Sequence, residues 1–294
     1  MKTVKSFLQY LSDSRGYSAH TVESYRADLV AFEAFFNALD ETLTWATVDR
    51  DVVRRWVVDG MENGAAPRSV RRRLSALRSF FRYQMLMGEC RSNPAEAVHG
   101  PKCGKPLPAF LDERAMDRLL DDVVFAPDFA GQRDRYVLLL FYSTGIRLAE
   151  LVGLDVNDVD LSARTLKVTG KRNKQRILPF GQELADETRR YLALRQQVFP
   201  AAGLPLVLGD DGLRISRSKV AAMVRKRLSA VTTMKKKSPH VLRHTFATVM
   251  LNHGADIEAV RELLGHESLA TTAIYMHTTF AELKKEYELA HPWA

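Results

Sequence analysis

Cysteine is almost missing. Cys90 and Cys103 are the two in 294 residues, which excludes a disulfide scaffold and points to a reducing cytoplasm. Long apolar runs are missing too: the longest, residues 136–142, spans seven residues, far short of the ~20 a membrane span needs. Lys2, Lys5, Gln9, Asp13 and Arg15 interrupt the first fifteen residues, so no signal-peptide core is expected there. No internal repeat and no low-complexity segment occurs. Between residues 214 and 243 acidic side chains are absent altogether.

What is present is a surplus of base. Lys and Arg number 43 against 35 Asp and Glu, for a formal charge of +8. With 46% hydrophobic and 27% charged residues the chain is globular in composition, and its length predicts two domains. The sum of charge says little, since residues 1–105 and 106–294 each carry +4. Its distribution says more. Residues 67–105 hold nine basic side chains against Glu89 and Glu96, and the acid-free stretch 214–243 holds ten. A single such run is usually a solvated helix face; one in each half predicts two surfaces gripping a polyanion.

The first run has helical order. Pro67 suits a first turn, and Val70, Leu74, Leu77, Phe81 and Met85 recur every three or four residues, within roughly an 80° arc at the helical repeat. Arg68, Arg71, Arg72, Arg78 and Arg82 fall on the opposite side, with Arg73 flanking the stripe. A row of guanidiniums suits phosphate, because each planar fork donates two parallel hydrogen bonds. These five arginines are therefore expected to face DNA.

The fold class expected is mainly α with a small antiparallel β-sheet. Helices are predicted at 2–13, from Ser18 to about 37, at 49–62 and at 67–87, making an all-helical domain over residues 1–100. Residues 101–108 read Pro-Lys-Cys-Gly-Lys-Pro-Leu-Pro, an extended, helix-breaking linker. Residues 109–294 form the second, α+β domain. There a helix starts at Asp112 and a buried one covers 134–143. Strands are expected at 165–169 and 176–179, with 156–161 a possible third. The hairpin tip between them is basic, with Lys171, Arg172 and Lys174. Helices follow at about 182–197, 216–230, 240–253, 256–264, 270–277 and 279–290.

Five places in the second half could carry chemistry: Arg147 after the turn Thr144-Gly145, Lys171 at the hairpin tip, His240 with Arg243, His266 after Gly265, and Tyr275. Singly, each has a structural explanation; Arg147, for instance, has Glu150 nearby for an ion pair. A zinc site at His240 and His244 lacks the glutamate of a His-Glu-x-x-His motif, Val241 standing there, so no metal is expected.

Together the motifs resemble the tyrosine recombinase (phage-integrase-type) family, of the XerC/XerD-like site-specific recombinases. The residues that carry the likeness are Thr144-Gly-Ile-Arg-Leu-Ala-Glu-Leu151, His240-Val-Leu-Arg-His-Thr-Phe-Ala-Thr248 and Leu263-Leu-Gly-His266, with Tyr275 nine positions on. The resemblance implies an N-terminal helical core-binding (SAM-like) domain and a C-terminal catalytic domain. It implies that Arg147, Lys171, His240, Arg243 and His266 assist and that Tyr275 is the nucleophile. Arg172 departs from the family's usual glycine, so Arg172 or Lys174 could share the work of Lys171. A double-stranded recombination site, a homo- or hetero-tetramer in which the last helix docks on a neighbour, and a septum-associated DNA translocase are the partners implied. The role implied is dimer resolution at cell division, in chromosome partition; the tail at 290–294 looks closer to XerC.

The chemistry makes sense of the set. Arg147 and Arg243 can stabilise charge growing on the non-bridging oxygens of a phosphodiester. Tyrosine, with a pKa of about 10, needs a proton acceptor, for which His240 is the candidate. Lys171 would protonate the 5′-oxygen leaving group, and His266 would hydrogen-bond the phosphoryl group. A 3′-phosphotyrosyl intermediate conserves the bond, so neither metal, cofactor nor ATP is expected. A mobile-element integrase and a type IB topoisomerase use the same logic and stand as alternatives. The Xer-type role is favoured because no arm-site-binding domain precedes residue 1.

Overall fold

Local capping chemistry sets most of the helix starts. In the computed structural model, which describes residues 2–104, 109–170, 173–265 and 280–293, the chain divides into two units, Met1–Pro106 and Leu107–Ala294. The first contains four helices: α1 (Lys2–Asp13), α2 (Ala19–Leu39), α3 (Arg50–Glu62) and α4 (Pro67–Leu86). Ser18 caps α2 by accepting the Thr21 N–H, and Asp49 caps α3 by accepting from Asp51 and Val52. No side chain caps α4; Pro67 sits in its first turn, where a missing N–H costs nothing. Their shared core is aromatic: Phe7, Phe32, Phe36, Phe80 and Phe81 are buried, with the Trp45 ring 4.4 Å from Phe80.

The stripe on α4 is displaced from the expected one. Val70, Leu74, Leu77 and Phe81 are buried as predicted, joined by Ala76, Phe80 and Gln84, whereas Met85 is exposed. The two added aromatic and small residues widen the buried face toward Arg73 and Arg72. That shift matters for the arginines, as described below.

The second unit is built around α6 (Phe129–Thr144). Tyr136 to Thr144 are all buried, as a helix apolar on every side must be. The helix begins well before the expected residue 134 because Asp128 accepts the Gly131 N–H at 2.7 Å and caps it. The helix predicted from Asp112 is short: α5 (Glu113–Asp117) runs directly into a π-helical turn, Arg118–Asp122. After α7 (Leu148–Gly153), a 3₁₀ turn at Val156–Asp158 consumes half of the possible third strand, leaving β1 as Val159–Asp160. Strands β2 (Thr165–Thr169) and β3 (Gln175–Pro179) complete an antiparallel sheet in the order β1-β2-β3. Helices α8 (Gln182–Val198), α9 (Arg217–Val231), α10 (Pro239–Asn252), α11 (Ile257–Leu264) and α12 (Phe280–Ala290) follow. The helix expected at 270–277 lies outside the described residues.

Helix α12 packs one face on the body of its own chain. Leu283, Tyr287 and Ala290 are buried in the core shared with α10 and α11. The tail continues that contact through His291, which is buried with its ring 5.2 Å from that of Tyr142, while Trp293 meets Tyr142 edge-on.

Candidate active site

The site assembles where α6 ends. Gly145 takes a left-handed conformation, φ 58°, and returns its N–H to Phe141 O. A Cβ there would lie 2.5 Å from Phe246 Cδ1 and 2.9 Å from Leu264 Cδ2, so only glycine fits both the dihedral and the space. The chain then turns into α7 with Arg147 at its N-cap. Arg243 reaches the same place from the second turn of α10, buried to 5% exposure.

Three guanidiniums converge on the end of α11. The last carbonyls of a helix have no partners within it and form its negative pole. Here each of three consecutive carbonyls accepts from a different arginine. Leu263 O accepts from Arg176 Nε at 2.9 Å, Leu264 O from Arg243 Nη2, and Gly265 O from Arg147 Nη2 at 2.6 Å. Arg243 Nη1 also donates to Gly145 O at 2.7 Å. Gly265, left-handed at φ 62°, ends the helix and turns the chain toward His266.

Glu150 balances this charge. Its Oε1 accepts from Arg147 Nη1 at 2.9 Å and Arg176 Nη1 at 2.8 Å. Its Oε2 accepts from the Arg147 backbone N–H at 2.9 Å and Arg176 Nη2 at 3.0 Å. Burial pushes the Glu150 pKa up, but hydrogen bonds and charge from Arg176 and Arg147 outweigh it and hold the carboxyl below its ordinary value. Among the described residues, no carboxylate hydrogen-bonds to Arg243. Desolvation, then the charge of Arg147, pulls its pKa down to about 9. It remains a cation at neutral pH, and one poorly compensated, which suits a site awaiting an anion.

His240 is exposed, one turn before Arg243 on α10. Desolvation first, and then the charges of Arg243, Lys236 and Arg147, lower its pKa below the imidazole norm of 6.5. It is therefore neutral at neutral pH and able to accept a proton. His244 is exposed and shifted the same way, by burial and by His240.

The hairpin brings Gly170, at the base of its turn, to the same carboxylate. The Gly170 N–H donates to Lys174 O at 2.7 Å and closes the turn. A Cβ on Gly170 would stand 3.3 Å from Glu150 Oε1, so the backbone one residue before Lys171 passes directly over Glu150. Lys171, Arg172, His266 and Tyr275 themselves lie outside the described residues.

Arg176 was missed by reading the sequence, although a signal existed. It pairs with Val168 across the sheet, on the face that also carries Leu166 and Leu178, both buried. An arginine at the core-facing beat of an alternating strand needs a buried partner.

The arginine row on α4 differs from the expected one. Arg72 forks onto Asp28, which is buried to 4% exposure, with Nη2–Oδ1 at 2.8 Å. Arg78 turns inward, donating from Nε to Ala95 O at 3.0 Å and from Nη2 to Val98 O at 2.6 Å. Both therefore have partners within the domain, although the Arg72 side chain is still 47% exposed. Arg82 stands 3.5 Å from Glu96 with both side chains exposed. Arg68 and Arg71 are exposed, as is Lys174.

Comparison with known proteins agrees with this arrangement. The phage integrase family model matches residues 109–282, and the phage integrase N-terminal SAM-like domain matches residues 4–88.

The chain is a member of the phage integrase family of tyrosine recombinases.

The tyrosine recombinase XerC of Azotobacter vinelandii is 41% identical over 292 residues, covering 98% of this chain and 95% of that protein. The XerC of Pseudomonas aeruginosa is 39% identical over 290 residues, covering 98% and 94%. In fold, the chain is similar to the Tn1549 transposon integrase in complex with transposon right end DNA, at a TM-score of 0.75 and 18% identity over 97% of this chain and 98% of that one. It is similar also to the XerH recombinase bound to its difH substrate, at 0.69 and 21% over 96% and 83%. This tyrosine recombinase is thus a site-specific recombinase, an enzyme that cleaves and rejoins DNA. Among its described residues, no helix is long and apolar enough to cross a membrane.

Proposed function

We propose that the guanidiniums of Arg147 and Arg243 receive the scissile phosphate and that Tyr275 attacks it. The observation that carries this reading is the pair itself: two guanidiniums from different elements, fixed side by side on the carbonyls of residues 264 and 265. Preorganised donors of this kind stabilise the charge that develops in a phosphoryl-transfer transition state without reorganising at the moment of reaction. The Tyr275 hydroxyl passes its proton to His240, the phenolate oxygen bonds to phosphorus, and the bond to the 5′-oxygen breaks. Lys171 gives that oxygen its proton, while His266 hydrogen-bonds the phosphoryl group. The products are a 3′-phosphotyrosyl link and a free 5′-hydroxyl; attack by a partner strand's 5′-hydroxyl reverses the step and rejoins the DNA.

Arg68, Arg71 and Arg82, with Arg172 and Lys174 at the hairpin, are the proposed phosphate contacts outside the catalytic centre. Strand exchange between two duplexes requires a tetramer, of this chain alone or with a related recombinase. The XerC relatives support a role in the cytoplasm in resolving chromosome or plasmid dimers at cell division, with a septum-associated translocase as the partner that would couple the two events.

The test is a nicked duplex that lets the cleaved 5′ fragment diffuse away. The wild type should leave a denaturation-resistant protein–DNA adduct, and Tyr275→Phe should bind the duplex and leave none. An adduct formed by the Phe variant would remove Tyr275 from the role of nucleophile.

A further inference from the structure

We infer that Arg176 is a positioning residue for the cleavage step: it shares the Glu150 carboxylate with Arg147 and so fixes Arg147 without neutralising it. The inference deepens the proposed role of Arg147 and Arg243 and rests on it.

A carboxylate offers about four lone-pair sites, and on Glu150 all four are taken. Two serve Arg147, through its Nη1 and its backbone N–H, and two serve the fork of Arg176. The Glu150 side chain is 3% exposed and that of Arg176 is 16% exposed, so water cannot replace either partner. With one arginine alone, the buried anion would draw its whole compensation from Arg147. The guanidinium proposed to meet the phosphate would then be spent on an internal ion pair. A second cation on the same carboxylate leaves a net positive charge over the trio of Arg147, Glu150 and Arg176, while the geometry stays rigid.

Arg176 also joins three parts of the site mechanically. Its Nε holds Leu263 O, one carbonyl before the one that Arg243 grips. Its Cδ, Nε and Cζ lie 3.3 Å from where a Cβ on Gly265 would stand. Its backbone belongs to β3, the strand that leaves the basic hairpin tip. One side chain therefore ties the hairpin, the α7 N-terminus and the α11 C-terminus into a single register. Lysine could supply the charge but not this geometry, since an ammonium cannot span both oxygens and a carbonyl in one plane.

The experiment measures single-turnover adduct formation on a nicked duplex carrying a site selected from random DNA by the wild-type protein, at saturating DNA and from pH 5.5 to 8.5. Arg176→Met should lower the cleavage rate by about tenfold or more with DNA affinity changed by no more than about twofold. Its rate relative to wild type should recover in part as pH falls, because Glu150, deprived of two bonds, takes a proton more readily and so releases Arg147 from their ion pair. Adding Glu150→Gln should flatten that ratio. Arg176→Lys should cleave severalfold slower than wild type with a flat ratio. A purely structural role for Arg176 predicts a lower melting temperature with a pH-independent ratio, and that result would overturn the inference. So would cleavage at the wild-type rate by the Met or the Lys variant. If the Met variant is unfolded at the assay temperature, the Lys variant decides: slower cleavage at unchanged affinity supports the inference, and an unchanged rate overturns it. Absence of any adduct from the wild type would overturn the reading of Arg147 and Arg243, and this inference with it; an adduct from the wild type with no effect at Arg176 would overturn the inference alone.

Discussion

The smallest residue in the site does much of the placing. Gly145 ends α6, offers its carbonyl to Arg243, and turns the chain so that Arg147 takes the N-cap position of α7. Its φ of 58° and the 2.5 Å approach of Phe246 to a hypothetical Cβ leave room for nothing larger. Gly145→Ala should destabilise the protein by about 2–4 kcal/mol, combining the cost of a left-handed alanine with that of overpacking. It should also slow cleavage, since displacing Gly145 O or Phe246 moves Arg243. Chemical denaturation checks the first claim, and a loss below about 0.5 kcal/mol, the scatter of ordinary surface changes, would contradict the packing account. Arg243 shows the same economy from the other side: among the described residues its hydrogen-bond partners are carbonyls, a buried cation so held is costly, and the cost makes sense where an anion is to bind.

At the scale of elements, the C-terminal segment is anchored by an uncharged histidine. His291 Nε2–H donates to Tyr142 O at 3.2 Å, and its Nδ1 accepts the Trp293 N–H at 3.1 Å, which fixes the neutral tautomer. The ring stacks on Tyr287, with centroids 5.0 Å apart. Burial pushes the His291 pKa down to about 4, only partly opposed by the bond to Tyr142, with His253 lowering it further. Because the folded value lies below the unfolded one, the unfolded chain binds the extra proton. Stability is therefore full above pH ~6.5 and falls as pH drops toward 4. From pH 7 to pH 5 the loss from this residue should be about 2 kcal/mol. Melting curves at the two pH values measure it, and His291→Phe should shrink the difference. If the difference is the same in the variant, the histidine is not the acid-sensitive anchor of α12.

For the molecule as a whole, a surplus of +8 is a weaker guide than the partners each charge has. Arg68 is exposed, whereas Arg78 is committed to two carbonyls. Arg68→Ala should therefore reduce the slope of log K against log salt by about 0.9, one phosphate contact, with little change in stability. Arg78→Ala should cost about 1–3 kcal/mol of stability by stranding buried carbonyls, with little effect on the slope of the protein that remains folded. Binding titrations at several salt concentrations, paired with denaturation, separate the two. Matching salt slopes for both variants would return Arg78 to the DNA-facing set.

Much of this was written locally. The four N-terminal helices follow from Ser18, Asp49, Pro67 and an apolar period near 3.6, because capping and amphipathicity act over a turn or two. The hairpin follows from alternation. The motif residues Arg147, His240 and Arg243 were legible by type and spacing, and the family with them. Other features were not legible. Whether an arginine on α4 faces solvent or Asp28 depends on which helix lies beside it, and periodicity cannot choose between those. Asp128 begins α6 because its carboxylate meets the Gly131 N–H, a choice that a weak local signal left open. Most of all, residues 263 to 265 acquire their meaning only when strand β3, helix α10 and the α7 N-terminus arrive around them. The sequence by itself determined which chemical groups this protein has and which turns and helices carry them. Only the tertiary structure decided which arginines are spent on carboxylates and carbonyls and which keep charge to offer, since that depends on burial and on partners distant in the chain.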